Sequence, residues 1–463
     1  MEIDFGVSAY KRDRGNLPEL PVVNMFVEVA NTEPKQVALQ SRPGLIDNGV
    51  TSGAGPVKAI FQQDGVVSGS LFTISAGALY DDGVSKGSVP GSGFANIAGN
   101  EIGVTANAGA GIYFYNGTSF GLADFPDAAN VSKVTDIGGR FIAIRADTGK
   151  LYNTAVLESA LVAGVLTFTA LAFATAEDEP DPLVDLVVVG RKAVLGGSET
   201  VEFWEITGDD LLPLAPILGR AYTKGVRATG CLVEFDNSAV FVSPDNIVYR
   251  CDNEPIRISD PGIEERIKAS ATCELTTFFF EGHEFLKIRL ADEDLVYDAQ
   301  TKQWCEWATE GETNFAGRCA CNIDGVATFG SGLDGKTVRF GDVYTDLDGP
   351  LERRFRAGVA LNGGTLTVDN LRLRTNPGNT TYQSGQYADP VVELAYSHNA
   401  GRTFSAYRTA KLGSQGEYRR QVEWRALGTF DAPGALFDIR CSDPVPFRVS
   451  GVAINEDGGG RSR

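Results

Sequence analysis

Histidine is almost missing from this chain: His283 and His398 are the only two in 463 residues. Acid–base and triad chemistry usually sets an imidazole beside a nucleophile. Neither histidine has a Ser or Cys signature such as G-x-S-x-G nearby. His283, in Gly282-His283-Glu284-Phe285 at a strand start, reads as a structural hydrogen-bonding residue. Positive charge is also short: 41 Lys and Arg against 60 Asp and Glu leave a net charge of −19. Wrapping duplex DNA needs clustered positive charge, so this balance argues against such a surface. It suits a protein that stays soluble at high concentration before assembly, or a wall past which DNA slides.

No apolar run reaches membrane length. The longest candidate, Ala160–Ala176, is shorter than the ~20 residues a spanning helix needs and holds Gly164 and three threonines. Its Thr, Val and Phe content reads as two strands. Met1–Leu20 is charged and polar, unlike a signal peptide. The seven cysteines are an odd, dispersed set. Cys319 and Cys321 form a C-x-C, but no second pair or nearby His completes a zinc site. Reduced core thiols and folding in a reducing cytoplasm are expected. Helical signals are scarce as well. Asp260-Pro261 ahead of Ile263–Lys268 predicts one short helix.

Glycine, by contrast, is abundant, with 54 residues. A helical protein avoids that load, whereas tight turns between strands use it where φ is positive. A short strand ending near an aromatic and followed by Asp, Gly or Asn recurs seven times. It appears at Gly77–Tyr80, Gly111–Tyr115, Lys150–Tyr152, Val201–Trp204, Ile247–Tyr249, Leu295–Tyr297 and Val338–Phe340. Successive starts lie 34 to 51 residues apart, near the ~40–50 expected of propeller blades. Val184–Gly190, Ala193–Gly197, Ala239–Val242, Thr276–Phe280 and Glu284–Leu290 supply strands between the marks. The fold class is therefore all-β, with a six- or seven-bladed β-propeller.

After about residue 346 the strands lengthen: Ala357–Leu361, Leu366–Leu373, Val391–Tyr396, Val422–Leu427, Ala435–Ile439 and Phe447–Ile454. This predicts a β-sandwich. The expected division is an extended arm over residues 1–40, the propeller over 41–346, the sandwich over 347–455 and a flexible Gly-rich tail over 456–463. The sandwich segment is rich in arginine, including Arg353, Arg354, Arg356, Arg372, Arg374, Arg419, Arg425 and Arg440. Set against the acidic remainder, it is expected to supply opposite charge for contacts between copies.

Three motifs read as structure. Gly330-Ser331-Gly332-Leu333-Asp334-Gly335 matches G-x-G-x-x-G, but a strand follows it rather than a helix, so it is a hairpin turn. Glu177-Asp178-Glu179-Pro180-Asp181 lacks the alternating ligands of a calcium loop. Ser397-His398-Asn399-Ala400-Gly401-Arg402-Thr403-Phe404 resembles the Asp-box turn of sialidases and other propellers, with Asn399 for the Asp and Phe404 for the Trp. That element supports a hairpin, not glycosidase activity. No catalytic, cofactor-binding or metal-binding residue is assigned, and no cofactor is expected.

Several motifs taken in order resemble the packaged-DNA stabilisation proteins of short-tailed phages, also described as tail hub, stopper or nozzle proteins. They begin with Pro21–Met25, Glu28 and Arg42-Pro43-Gly44-Leu45, then Ala98–Glu101, Asp136–Phe141 and Gly197–Trp204. Gly282–Phe285, Leu295–Asp298, Trp304, Ser397–Phe404, Gly413–Tyr418, Trp424–Gly428 and Ser442–Val445 follow. The family's Ser-Asp-x-Gly turn is altered at Ser397–Gly401. The resemblance implies a propeller joined to a sandwich, assembled as a homo-hexamer ring beneath the portal–adaptor complex in the virion tail. Such a ring retains packaged DNA, lets it pass on ejection, and adjoins tail fibres or tailspikes and a plug or needle. It implies a structural protein rather than an enzyme, assembled in the host cytoplasm, with no membrane insertion. The alternative is a carbohydrate-binding or sialidase-like propeller acting at the host surface.

Overall fold

The structure is a computed structural model that describes residues 1–6, 20–29, 37–126, 130–145, 147–175, 181–210 and 213–456. Seven four-stranded antiparallel blades follow one another along the chain. Their inner strands are Val57–Phe61, Asn96–Asn100, Val131–Ile137, Leu183–Val189, Leu232–Phe235, Glu274–Phe280 and Gly317–Ile323. Each inner strand packs beside the next, and Gly317–Ile323 returns to Val57–Phe61, closing the ring. Six blades are separate sheets. The remaining one, Glu274–Phe280 to Trp304–Trp307, runs on into the C-terminal domain.

Each of the seven aromatic marks is the third strand of one blade. Tyr80, Tyr115, Tyr152, Trp204, Tyr249, Tyr297 and Phe340 lie on strands that pair with the second and fourth strands of their own sheets. All but Tyr80 are buried. The ring at this position also reaches the preceding blade: Tyr115 meets Phe72 at 6.2 Å and Tyr297 meets Phe235 at 6.1 Å between centroids. A large flat side chain fills the wedge that opens between twisted sheets as they fan out from the axis.

The last blade has only three strands from its own stretch of chain. Its outer strand is Gly44–Thr51, paired antiparallel with Lys336–Gly341 through Leu45↔Phe340 and Asp47↔Val338. Gly44 permits this: a Cβ there would lie 2.1 Å from the Thr345 carbonyl oxygen.

The C-terminal strands form two packed sheets. One holds Arg353–Ala360, Gly434–Cys441, Val391–Ser397 and Arg408–Lys411; the other holds Leu366–Thr375, Val422–Phe430 and Arg448–Ile454. The segment expected as an arm enters these sheets strand by strand. Glu2 and Ile3 pair with Arg448–Ile454, whereas Asp4 and Phe5 pair with Arg353–Ala360, so four residues stitch both sheets. The hairpin Met25–Val29/Val37–Ser41 extends the second sheet through Leu39↔Val449.

The one α-helix among the described residues is Pro261–Ala269, between the fifth and sixth blades. Asp260 caps it by accepting from the Ile263 amide at 2.9 Å. The stretch read as two strands forms a small hairpin, Leu161–Val162 with Val165–Leu166, followed by the strand Phe168–Thr175. Gly330–Gly335 spans the turn between Val326–Ser331 and Lys336–Gly341, as its sequence predicted. All seven cysteines are free thiols. Burial pushes Cys319 up to about 11 and both Cys251 and Cys321 up to about 12. No described helix is long and apolar enough to cross a membrane.

Candidate functional site

The joint between propeller and sandwich concentrates the buried polar chemistry. Val22–Val23 lies between the two domains, parallel to Trp304–Trp307 through Val23↔Glu306 and antiparallel to Arg353–Ala360 through Val22↔Phe355. Next to it, Asn24 takes a left-handed backbone with φ of 55°. That turn aims its side chain at Arg42, whose Nε donates to Asn24 Oδ1 at 2.8 Å. Asn24 Oδ1 also accepts from the Ala308 amide at 3.0 Å, and Nδ2 donates to the Glu352 carbonyl at 2.8 Å. One residue therefore touches both domains.

Arg42 is fully buried, and all five of its N–H groups have acceptors. Nη1 donates to the Pro43 carbonyl and Asp346 Oδ1, both at 2.9 Å. Nη2 donates to Asp346 Oδ2 at 2.5 Å and the Ala308 carbonyl at 3.1 Å. The guanidinium also stands 4.7 Å from the Phe315 ring centroid. A forked pair of this kind fixes distance and angle together, which a lysine could not do. Arg353, equally buried, donates to the carbonyls of Cys441 at 3.1 Å and Val445 at 2.8 Å, and to that of Asp443. It thereby folds the Ser442–Val445 turn. Arg42 and Ser442–Val445 sit in motifs visible in the sequence, but no local signal shows what these residues hold.

Around the joint the apolar core is continuous. Phe278, Phe285, Trp307, Phe329 and Phe340 of the last two blades pack in one cluster with Phe26, Leu39 and Leu45 and with Phe355, Phe437 and Val452 of the sandwich. Burial on this scale leaves no lubricated surface for the domains to slide over.

The propeller's own axis is obstructed where the inner strands begin. Phe94, ahead of the second inner strand, reaches Gly230, ahead of the fifth: a Cβ on Gly230 would stand 2.5 Å from the Phe94 ring. Lys133 of the third blade pairs with Asp185 of the fourth at 2.8 Å and donates to the Leu232 carbonyl of the fifth at 3.1 Å. Asp185 also accepts from the Gly230 and Leu232 amides at 2.8 and 2.9 Å. Burial pushes the Asp185 carboxyl up, and Lys133 opposes that rise. Groups from four blades thus interlock across the axis.

The sandwich arginines correct a sequence expectation. Residues 352–456 carry 13 Lys and Arg against 10 Asp and Glu, but most of the arginines are already paired within the chain. Arg354 makes a forked pair with buried Asp438 at 2.5–3.1 Å, and Tyr407 donates to the same carboxylate at 3.1 Å. Arg440 pairs with Glu393 at 2.7 Å and stacks 3.8 Å over Tyr407. Arg374 reaches Glu456 at 2.6 Å, and Arg425 reaches Glu423 at 2.5 Å. Arg354 and Asp438 lie 84 residues apart on paired strands, whereas Arg425 and Glu423 are two apart on one strand. Arginine-rich sequence here means ion pairing within the chain rather than a free basic face.

The two histidines have structural partners. Buried His283 Nδ1 stands 2.8 Å from Asp298 Oδ2, and its ring stacks on Phe285. His398 stacks on Phe430 with centroids 4.4 Å apart. The Asp-box-like turn folds as its sequence suggested: Ser397 Oγ accepts from the Gly401 amide at 2.9 Å, and Asn399 Oδ1 accepts from the Thr403 amide at 2.9 Å. Asn399 Nδ2 donates to Thr403 Oγ1 at 2.8 Å, a bond that an Asp there could not donate. No metal-binding group of three His, Cys, Asp or Glu occurs among the described residues. Residues 177–180 of the acidic loop lie outside them.

Two family profiles match consecutive parts of the chain: "Bacteriophage P22 Gp10, beta-propeller" over residues 2–342 and "Bacteriophage P22 Gp10, beta-sandwich" over residues 352–456. The tail hub protein gp10 of Salmonella phage P22 is 24% identical over 314 residues, a match covering 61% of this chain. The match spans 64% of that relative, just under two thirds of its length. Among solved structures, the designed Ika8 protein is 15% identical, with a TM-score of 0.40 over 73% of this chain and 98% of its own. The BBS1 N-terminal domain, solved in complex with ARL6, is 9% identical, with a TM-score of 0.42 over 65% of this chain and 98% of its own. At such scores neither likeness bears on fold or function. With both profiles in register with the seven blades and the sandwich, the chain belongs to the family of bacteriophage P22 Gp10.

Proposed function

We propose that this chain is a structural subunit of a phage tail, a hub that extends the channel below the portal–adaptor complex. The observation that carries the reading is the consecutive match of propeller and sandwich to the P22 Gp10 profiles, joined to the likeness to a tail hub protein. In this reading six copies form a ring in the virion tail, assembled in the host cytoplasm. The ring helps to retain packaged DNA and lets it pass on ejection, and tail fibres or tailspikes and a plug or needle adjoin it. The division at residues 40, 346 and 455 belongs to the same proposal.

Two structural features support it. The continuous core and the Arg42–Asp346 clamp suit a part that must keep its shape under load. The interlocked groups on the propeller axis leave the lumen of the ring, between copies, as the route for DNA. Acidic residues on that lumen would repel phosphate and keep the strand from sticking. No observation favours the sialidase-like alternative.

The test is to mix the purified chain with a portal–adaptor complex and image the product. A ring of six on the complex is expected. A chain that never joins the complex, or a monomer that hydrolyses a fluorogenic sialoside, overturns the proposal.

A further inference from the structure

A cleft of about 560 Å³ opens where the last two blades meet the N-terminal hairpin. Gln40 and Ser41 form one side of it, and the turns carrying Glu281 and Asp342 form the other. Its aromatic wall is Phe279, 49% exposed despite its size, with Phe340 and Tyr344 behind. Glu281 and Asp342 are exposed, and no hydrogen bond or ion pair engages either carboxylate among the described residues. Burial pushes the Tyr344 phenol up, and both carboxylates add to that rise. Arg353, whose guanidinium lies 6.0 Å from the Tyr344 ring centroid and opposes that rise, donates to carbonyls rather than to either carboxylate. An aromatic wall beside two unspent carboxylates is a receptor for a guanidinium or ammonium group.

A matching cation stands three strands away in the sandwich sheet to which Gln40 and Ser41 belong. In the second sandwich sheet Leu39 pairs with Val449, Val449 with Thr375, and Leu373 with Val422. The strand that ends at Ser41 and the loop just before Val422 therefore lie at the same end of the strands. They are three strand spacings apart, about 14 Å. That loop presents Tyr418, 66% exposed, and then Arg419, which is exposed and has no ion pair among the described residues. Most other sandwich arginines are committed to carboxylates or carbonyls of their own chain. Arg402 and Arg419 have no such partner among the described residues, and of the two only Arg419 follows an exposed aromatic, Tyr418.

We infer that the cleft of Phe279, Glu281, Asp342 and Tyr344 receives the Tyr418–Arg419 loop of a second copy of this chain. The inference rests on the ring proposed above and names its contact. A receptor and a ligand at different places on the chain let each copy accept from one neighbour and donate to the next, the head-to-tail contact of a closed ring. The charges supply register and steering, while Phe279 and Tyr418 supply the buried apolar area.

The test uses the full-length chain and sedimentation velocity across a concentration series. Glu281→Lys with Asp342→Lys in one variant, and Arg419→Glu in another, are each expected to weaken self-association at least tenfold while leaving the melting temperature unchanged. Mixing the two variants is expected to restore association, because each interface in the mixed species again joins opposite charges. The pairing is overturned if either variant associates like wild type, if the mixture stays dissociated, or if the wild-type Kd is weaker than about 1 mM. A chain that joins the portal–adaptor complex yet fails here keeps its hub role and loses this contact. Complementation by a chain that never joins the complex has the opposite meaning.

Discussion

Arg42 and Asp346 are 304 residues apart in sequence and share one of the most enclosed ion pairs in the molecule, with side chains 0% and 1% exposed. Removing one partner strands the other, so Arg42→Ala is expected to cost about 3–5 kcal/mol of unfolding free energy. Urea titration measures this; a loss below 1 kcal/mol would mean that water reaches the site. Lys287 poses the reverse case. It is fully buried, donates to the Arg318 carbonyl at 2.8 Å and stands 3.5 Å from Asp294, and burial lowers its pKa below 10.5. The folded state therefore releases its proton before the unfolded chain does, and the penalty of burying the cation fades as pH climbs through that window toward 10.5. Lys287→Met should equal or exceed wild type in stability at pH 7, with any margin shrinking as pH rises toward 10.5. Stability curves for both proteins at several pH values decide it; a margin that grows with pH refutes the idea. At this scale the sequence was only half readable. Arg42 stood out within a motif, but the carboxylate it needs was one of 60 acidic residues, and only the folded chain selects it. The sandwich arginines misled for the same reason: a cross-strand partner has no fixed spacing in sequence, unlike a helical i, i+4 pair.

Strands were the most legible level. Seven aromatic-ended segments were seven third strands, because an aromatic wedge is needed once per blade whatever the loops do. The helix was equally plain, since Asp260 and Pro261 are local signals. Illegible were the pairings that local pattern cannot encode: Gly44–Thr51 with the last blade, and Glu2–Phe5 shared between two sheets. Each yields a test. Gly44→Ala puts a methyl against the Thr345 and Val343 backbone, and should cost about 1–3 kcal/mol as overpacking at a point that cannot yield. Thermal unfolding reads it out, and an unchanged midpoint would show that the Gly44 contact is loose. Deleting residues 1–40 removes Ile3, Val22, Met25, Phe26, Val27 and Leu39 from the shared core. Hydrogen exchange should then lose protection at Arg448–Ile454 and Arg353–Ala360 but keep it in the second to fifth blades. Retained protection in the sandwich would show that these strands only decorate it.

Across the whole molecule, the shared core and the two-residue bridge at Val22–Val23 make propeller and sandwich one mechanical body. Calorimetry of the wild type should show a single cooperative transition in which both domains melt together. Arg42→Ala should split it in two; two transitions already present in the wild type would contradict the continuous core.

The pairing of the earliest and latest described strands has a consequence for manufacture. The Met1 amino group donates to the Ile454 carbonyl at 2.7 Å, and the Ile454 amide donates back to the Met1 carbonyl at 2.8 Å. Gly44–Thr51 likewise waits for a blade that is made almost 300 residues later. At ribosomal speeds of about 5–20 residues per second, the first strands spend tens of seconds without their partners. The propeller ring cannot close until Lys336–Gly341 has been made, and the sandwich is not complete until Arg448–Ile454 has left the ribosome. A chain terminated before Gly341 therefore has an open propeller, and one terminated before Arg448–Ile454 has an unsewn sandwich. The topology acts as an inspection step: only a copy that has reached Ile454 has both domains closed.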